Sequence, residues 1–172
     1  TVKDTLSLHD ALPISGQVSV SAMSAVYRFD SIGRETRVYG IMGWPVAHSQ
    51  GPRLHNAGFA AAGVDARYVY LPVAPGYEPL KATLGAMLDD SGLDFGGASV
   101  TLPHKEDLAR LLREWGADLD AFAERAGAVN TVVVERDGRV RGLNTDAAAS
   151  ARLMREALAR RGVAMSSARV AV

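Results

Sequence analysis

Four short segments of the chain concentrate side chains that can bind and protonate a small molecule. They are Gly43–Asn56, Ser99–Lys105, Gly127–Thr131 and Gly142–Asp146. Each segment is rich in turn-forming residues and carries hydroxyl, amide, ammonium or carboxylate groups. Together these groups are the set needed to hold a small polyhydroxylated acid, because such a ligand presents both hydroxyls and a carboxylate.

Ser49, Thr101 and Asn130 are the binding candidates in these segments. Hydroxyl and amide side chains can pair with several ring hydroxyls and a carboxylate at once, and a missed partner would leave a buried polar group unpaired. Structural interpretations remain open beside this one. Ser49 could be an ordinary turn or cap residue before Pro52, and Asn130 could simply edge a strand.

Lys105 and Asp146 are the candidates for proton transfer. A reaction that turns a carbonyl oxygen into an alkoxide needs a proton donor near that oxygen and a positive environment for the developing charge. A lysine that a neighbouring aspartate keeps protonated can supply both. The structural alternatives are a solvated lysine at a helix start for Lys105 and a favourable acid in the first turn of a helix for Asp146.

The order of these segments resembles one enzyme family. In shikimate dehydrogenases a strand, a Pro-rich turn and a helix carry the pattern G-x-P-x-x-H-S-x-S-P-x-x-H-N, and residues 43–56 match it everywhere except at Gly51. T-x-P-x-K, A-V-N-T and N-T-D segments follow in the family's order, so the chain resembles the substrate-binding half of these enzymes over residues 38–172. The resemblance implies NADP-dependent, reversible reduction of 3-dehydroshikimate to shikimate.

The resemblance also implies roles for the candidate residues. Lys105 and Asp146 correspond to the family's catalytic pair, and both would contact the substrate. Ser49 would bind the substrate carboxylate. Thr101 and Asn130 would bind its hydroxyl groups.

Gly51 stands where relatives have a second serine. The resemblance implies that two serine hydroxyls bind the substrate carboxylate in those relatives, so one donor is lost here and space is gained beside Ser49. That space could admit the extra hydroxyl of quinate, and quinate-preferring plant relatives resemble this chain in having Gly there. At position 101, in contrast, the chain has the threonine that is typical of shikimate enzymes. Shikimate dehydrogenase and quinate/shikimate dehydrogenase are therefore both open, and we expect Gly51 to line the substrate site.

NADP, the cofactor implied by the resemblance, has no binding motif in this sequence. None of the 17 glycines belongs to a Gly-x-Gly-x-x-Gly turn. Where it is present, that turn holds a dinucleotide pyrophosphate at a helix N-terminus. Residues 168–172 resemble the start of the first strand of the NADP-binding Rossmann domain, where the chain stops. We expect the chain by itself to be inactive as a dehydrogenase. The alternative is a non-catalytic module that binds a small acid.

The composition argues against several other classes of function. Lys plus Arg and Asp plus Glu each total 19, so no net charge attracts nucleic acid or an anionic membrane surface. No apolar stretch approaches the ~20 residues of a membrane helix. The chain has no Cys, and its four histidines share no metal-ligand spacing, which argues against disulfides and metal sites. We expect a cytoplasmic protein whose partner is a small-molecule substrate.

The N-terminal region divides into three parts. Thr5–Ile14 matches the translation of a short-read sequencing adapter, so residues 1–15 are expected to be non-native. Residues 16–29 resemble the last turn and terminal helix of a type I dehydroquinate dehydratase, in which Gln17 would contact substrate. An ordinary polar loop and short helix explains them equally well. Residues 30–37 are expected to form a polar linker.

The rest of the chain alternates strands and helices, with a substrate domain expected at residues 38–145 and a connecting helix and loop at 146–167. Strands are expected at Val38–Met42, Arg67–Pro72, Gly97–Leu102 and in a hairpin around Asp137-Gly138. Helices are expected at Pro52–Ala62, Tyr77–Asp89, His104–Trp115, Leu119–Arg125 and Thr145–Arg161. The predicted fold class is α/β, a mainly parallel sheet with flanking helices, to which the hairpin adds antiparallel character at one edge.

Overall fold

The computed structural model describes residues 18–169. The adapter-like segment, Gln17 and the last three residues of the expected Rossmann strand lie outside them. The strands are β1 (Arg37–Gly43), β2 (Ala66–Pro72), β3 (Phe95–Val100), β4 (Asp118–Leu119), β5 (Thr131–Val134) and β6 (Val140–Leu143). The α-helices are α1 (Val20–Ala25), α2 (Gly51–Ala62), α3 (Tyr77–Asp89), α4 (Lys105–Glu114), α5 (Ala121–Ala126) and α6 (Thr145–Ala159). Short 3-10 helices lie at Phe29–Ser31 and Met165–Ser167.

The six strands form one mixed sheet in the order β2-β1-β3-β5-β6-β4. Strand β1 pairs in parallel with both β2 and β3, while β5 is antiparallel to β3 and to β6. Strand β4 pairs in parallel with β6. Five strands therefore share one direction and only β5 runs against them, which confirms the mainly parallel sheet.

Helices cover both faces of this sheet. Successive residues of a strand point to opposite faces, so one strand can contact helices on either side. On β2, Tyr68 faces α2, where the Asn56 side chain bonds both the amide and the carbonyl of Tyr68 at 2.7 and 2.9 Å. Leu71 points the other way, onto the main core. That core joins apolar residues of α3 and α4 to the sheet, namely Leu80, Leu84, Leu108, Leu111, Leu112, Met42, Val100 and Val132.

The expected helices and strands are confirmed, with shifts at their ends. Helix α3 has the predicted bounds, and α2 ends at Gly63, whose φ of 65° is the left-handed conformation that glycine adopts readily. Strand β3 begins and ends two residues earlier than predicted, since Thr101 already belongs to the turn that leads into α4. Leu119 pairs in β4 instead of starting a helix, because the Asp120 carboxylate accepts from the Ala123 amide at 2.7 Å and caps α5 there.

The hairpin is present, but two details of its prediction are wrong. It does not form the sheet edge, since β4 pairs beyond it. Its turn is not the tight two-residue primed type. Only Gly138 has a positive φ, of 84°, and its amide donates to the Glu135 carbonyl at 3.0 Å. This is a three-residue loop closed by a glycine, in which the Asp137 carboxylate accepts from the Arg139 amide.

The segment before β1 packs against the sheet through Arg67. This buried guanidinium donates to the carbonyls of Arg28 and Ser31 at 3.3 and 3.2 Å and to the Ser31 hydroxyl at 2.5 Å. Thr36, within the expected linker, is buried, and its hydroxyl donates to Asp65. Within residues 18–169, no helix is long and apolar enough to cross a membrane.

Candidate active site

The predicted site residues lie along one edge of the sheet. Thr101 follows the carboxyl end of β3, and Ser49 lies on the loop that follows β1, parallel to β3. Because β5 runs the opposite way, Asn130 precedes it at the same edge, where its carbonyl accepts from the Val100 amide at 2.7 Å. Asp146 follows β6, which returns to this edge. Carboxyl ends of parallel strands are where ligands bind in open α/β sheets.

Backbone hydrogen bonds hold this edge together. The Thr101 amide donates to the Met42 carbonyl at 2.9 Å, and the Trp44 amide donates to the Leu102 carbonyl at 3.0 Å. The Val129 amide donates to the Lys105 carbonyl at 2.8 Å. The start of α4 is thereby joined to the segment that carries Asn130.

Lys105 and Asp146 form a direct ion pair. Lys105 is the first residue of α4 and Asp146 the second residue of α6, and the Lys105 Nζ lies 2.8 Å from the Asp146 Oδ2. Their side chains are 31% and 64% exposed, so a ligand can reach both. The hydrogen bond from Lys105 lowers the pKa of Asp146 against the opposing effect of burial, and the Asn130 amide assists it. Asp146 is therefore a carboxylate that holds a cation.

Asn130 is buried and organises the start of α6. Its Oδ1 accepts from the Thr145 amide and from the Thr131 hydroxyl, both at 3.0 Å. Its Nδ2 donates to the Thr145 hydroxyl at 2.9 Å. An amide group has two N–H donors, and the Asn130 amide also hydrogen-bonds Asp146, whose pKa it helps to lower. Asn130 thus fixes the helix that carries Asp146, a contribution that the sequence analysis did not predict.

Ser49 and Gly51 lie at the start of α2. The Ser49 Oγ accepts from the Gly51 amide at 3.1 Å, which leaves the proton of its own hydroxyl available to a carboxylate. The space expected beside Gly51 is small. A Cβ at this position would lie 3.1 Å from the Tyr68 ring and 3.2 Å from the Ser49 Oγ.

Thr101 and His104 shape the turn into α4. The Thr101 carbonyl accepts from the His104 amide at 3.1 Å, and no partner for the Thr101 hydroxyl occurs among residues 18–169. His104 is fully buried, with its Nε2 2.9 Å from the Val73 carbonyl. Its position directly before Lys105 makes it a structural support of the ion pair.

A cavity of about 370 Å³ lies on the α2 face of the sheet. His55, Phe59 and Tyr68 line it together with Ser99 and Thr131. None of the six predicted site residues lines it, so it is separate from the Lys105–Asp146 pair. The His55 and Tyr68 rings are stacked with centroids 4.2 Å apart. In the part of the chain that the structure describes, no cluster of three or more His, Asp or Glu side chains could hold a metal ion.

Comparisons with known proteins identify one family. A sequence model described as the shikimate dehydrogenase substrate binding domain matches residues 41–132, more than half of this chain. The shikimate dehydrogenase (NADP(+)) of Paramagnetospirillum magneticum is 45% identical over 113 residues, which are 66% of this chain and 38% of that protein. The chloroplastic bifunctional 3-dehydroquinate dehydratase/shikimate dehydrogenase of Arabidopsis thaliana is 39% identical over 132 residues, 76% of this chain and 20% of that protein.

A solved structure supports the same relationship. The shikimate 5-dehydrogenase of Thermus thermophilus, in complex with NADP(H) and shikimate, is similar with a TM-score of 0.55 and 31% identity. The match covers 74% of this chain and 43% of that one. The chain thus spans less than half the length of the relatives it matches.

Proposed function

This chain belongs to the shikimate dehydrogenase substrate-binding domain family, and from that membership we propose that it is the substrate-binding part of an enzyme that interconverts 3-dehydroshikimate and shikimate with NADP. The observation that carries the proposal is the Lys105–Asp146 pair, with 2.8 Å between Nζ and Oδ2. It lies at the same sheet edge as three side chains that can bind a hydroxylated acid. The cytoplasm is the compartment we propose for this reaction.

The pair is suited to the proton step of the reaction. In the direction of reduction, the carbonyl oxygen becomes an alkoxide, and the Lys105 ammonium donates a proton to it. In the direction of oxidation, neutral Lys105 accepts the proton of the substrate hydroxyl. Asp146 remains an anion in both directions, since its lowered pKa keeps it ionised, and it aims the ammonium. Proton transfer by positioned groups of this kind contributes about 10²-fold to 10⁴-fold to a rate.

The remaining polar groups suit the substrate. The hydroxyl proton of Ser49 is available to the carboxylate, and the Thr101 hydroxyl is available to a ring hydroxyl. The Asn130 amide, which contacts Thr145 and Asp146, is the proposed partner of a second ring hydroxyl beside that carboxylate. Discrimination by such groups is strong because a ligand that lacks a partner leaves a buried polar group unpaired.

The sequence contains no Gly-x-Gly-x-x-Gly turn, the motif that binds a dinucleotide pyrophosphate. The assignment of NADP therefore rests on the relatives. When bound, NADPH supplies the hydride for the carbonyl carbon. The proton step above requires only that the carbonyl oxygen lie beside Lys105.

A quinate/shikimate dehydrogenase is the second candidate, and Gly51 favours it. Gly51 supplies no hydroxyl to the substrate carboxylate, in contrast to the second serine of the family pattern. Quinate carries an additional hydroxyl on the carbon that bears the carboxylate. The close approach of the Tyr68 ring to this position limits the room for that group.

A joined protein tests the proposal. Residues 18–167 of this chain are fused to the part of the Paramagnetospirillum magneticum relative that this chain does not span, and NADP reduction is followed with shikimate and with quinate. We expect oxidation of shikimate at a rate that depends on the concentrations of both shikimate and NADP. A folded, NADP-binding fusion that oxidises neither acid would contradict the proposed function.

A further inference from the structure

Tyr70 makes a hydrogen bond that the site described above does not explain. Its hydroxyl, on β2, donates to the backbone carbonyl of Ser49 at 2.8 Å. Ser49 lies on the loop between β1 and α2, so the bond joins two separate elements. It is the one side-chain hydrogen bond from β2 to this loop within residues 18–169.

The loop has few other attachments. Of its residues 44–50, only Val46 is buried. The Ser49 amide donates to the Val46 carbonyl at 2.9 Å, and the Ser49 hydroxyl accepts from the Gly51 amide, so both bonds stay within the loop and the first residue of α2. The Trp44 amide ties the start of the loop to the Leu102 carbonyl, and the Tyr70 hydroxyl ties Ser49 itself to the sheet.

Tyr70 is itself held in place. It lies opposite Ile41 in the register of β1 and β2 and is half-buried. The buried Tyr27 is a neighbouring phenol, whose pKa is raised by burial first and by the charge of Tyr70 second. A phenol on a strand paired in this register can position the carbonyl that it contacts.

We propose that Tyr70 is a positioning residue for the substrate carboxylate, acting through Ser49. This rests on the proposed function, in which Ser49 binds that carboxylate. Because Gly51 contributes no second hydroxyl, Ser49 is the single serine donor of the family pattern at this place.

The test measures the affinity of the 172-residue chain for shikimate and for shikimate methyl ester by calorimetry. Tyr70→Phe removes one hydroxyl and keeps the ring. A neutral hydrogen bond of this kind corresponds to about 2-fold to 10-fold in affinity, and we expect that loss for shikimate. For the ester, which has no carboxylate charge, we expect little change.

Tyr39→Phe is the matched control. Tyr39 lies on the neighbouring strand β1, and its ring packs against Phe59 with centroids 5.7 Å apart. No hydrogen bond of its hydroxyl is found among residues 18–169. We expect this variant to bind both ligands as the unchanged chain does.

Amide hydrogen exchange at Gly51 in the ligand-free chain gives a second measurement, independent of the substrate. Its amide donates to Ser49, so loosening the loop in Tyr70→Phe should accelerate its exchange, and Tyr39→Phe should not. Equal shikimate affinities, equal losses for acid and ester, or unchanged exchange would each overturn the inference. If the unchanged chain binds no shikimate, the proposed function fails and the carboxylate role with it, while faster exchange would still show the structural tie.

Discussion

At the scale of single residues, the Lys105–Asp146 pair combines a short hydrogen bond with an exposed position. Exposed ion pairs contribute only about 0–1 kcal/mol to stability. Because the pKa of Asp146 is lowered in the folded protein, the pair persists until the pH falls below the ordinary carboxyl value of 3.8. Any stability it adds is present above that range and lost as the pH falls through the folded pKa.

This combination leads to a kinetic prediction. In the joined protein, we expect Lys105→Ala and Asp146→Ala each to lower kcat by about 10²-fold to 10⁴-fold with a much smaller change in KM, because both act in the proton step. The free energy of unfolding should change little. Lys81→Ala is the control, since Lys81 also lies on a helix and forms a 4.0 Å ion pair with Glu114 away from the site. Steady-state kinetics that show an effect on KM alone would make both residues binding residues.

Gly51 leads to a prediction about substrate choice. Its backbone does not require glycine, since its φ is not positive, but an added Cβ would lie 3.1 Å from the buried ring of Tyr68. We expect Gly51→Ser in the joined protein to raise kcat/KM for shikimate by supplying a second hydroxyl beside Ser49, and to lower the quinate-to-shikimate ratio. A hydrogen bond to a charged group contributes about 1.5–3 kcal/mol, minus the cost of moving Tyr68.

Gly58→Ser is the matched control for that substitution. Gly58 lies on the same helix, and a Cβ there would meet nothing within 4 Å. It should leave the ratio of the two substrates unchanged. Kinetics on both acids decide the matter: an unshifted ratio in Gly51→Ser would mean that Gly51 only starts the helix.

At the scale of elements, buried amide side chains determine where α6 begins. The Asn144 Oδ1 accepts from the Ala147 amide at 2.8 Å, and its Nδ2 donates to the Ala128 carbonyl at 2.9 Å. The Asp120 carboxylate accepts from the Asn144 amide at 3.2 Å and from the Ala123 amide. These hydrogen bonds join the starts of α5 and α6 in a buried joint, and the position of Asp146 on α6 depends on them.

We expect Asn144→Ala to lower the free energy of unfolding of the chain by about 1–3 kcal/mol, since it removes a cap and leaves the Ala128 carbonyl unpaired. Urea unfolding measures this. Ser19→Ala removes a cap from the short, exposed helix α1, where the bond to the Ala22 amide is 3.2 Å, and should cost less. Equal losses in the two variants would contradict the role of the buried joint.

The same elements show what a sequence can predict. Apolar spacing and terminal glycines were enough for the helices, because both are local signals; α3 has the predicted bounds and Gly63 ends α2. The family pattern selected the candidate residues, and the structure brings them to one edge of the sheet. The bonds of Tyr70 and Asn130 were not predictable, since they join residues far apart in the chain and leave no periodic trace. The predicted type of the turn at Gly138 was wrong because Asp-Gly also suits a three-residue loop.

At the scale of the whole molecule, the candidate site is open. Its groups lie along one sheet edge, and the exposure of Asp146 shows that solvent reaches the ion pair. Hydride transfer needs a nicotinamide held against the substrate with its reacting carbon aligned. The sequence offers no Gly-x-Gly-x-x-Gly turn to hold one. Binding of the acid can therefore be tested in this chain apart from hydride transfer.

This separation gives the last prediction. We expect the 172-residue chain to bind shikimate without reducing NADP, because the proposed site supplies groups for the acid and the sequence has no Gly-x-Gly-x-x-Gly turn for the dinucleotide. The measurement pairs calorimetric titration of shikimate with the fluorescence of NADPH formed after prolonged incubation with both substrates, and the joined protein serves as the positive control. NADPH formation by the purified chain at a rate proportional to its concentration would show that its own residues hold the nicotinamide, and the assignment of cofactor binding to the part that this chain does not span would then be wrong.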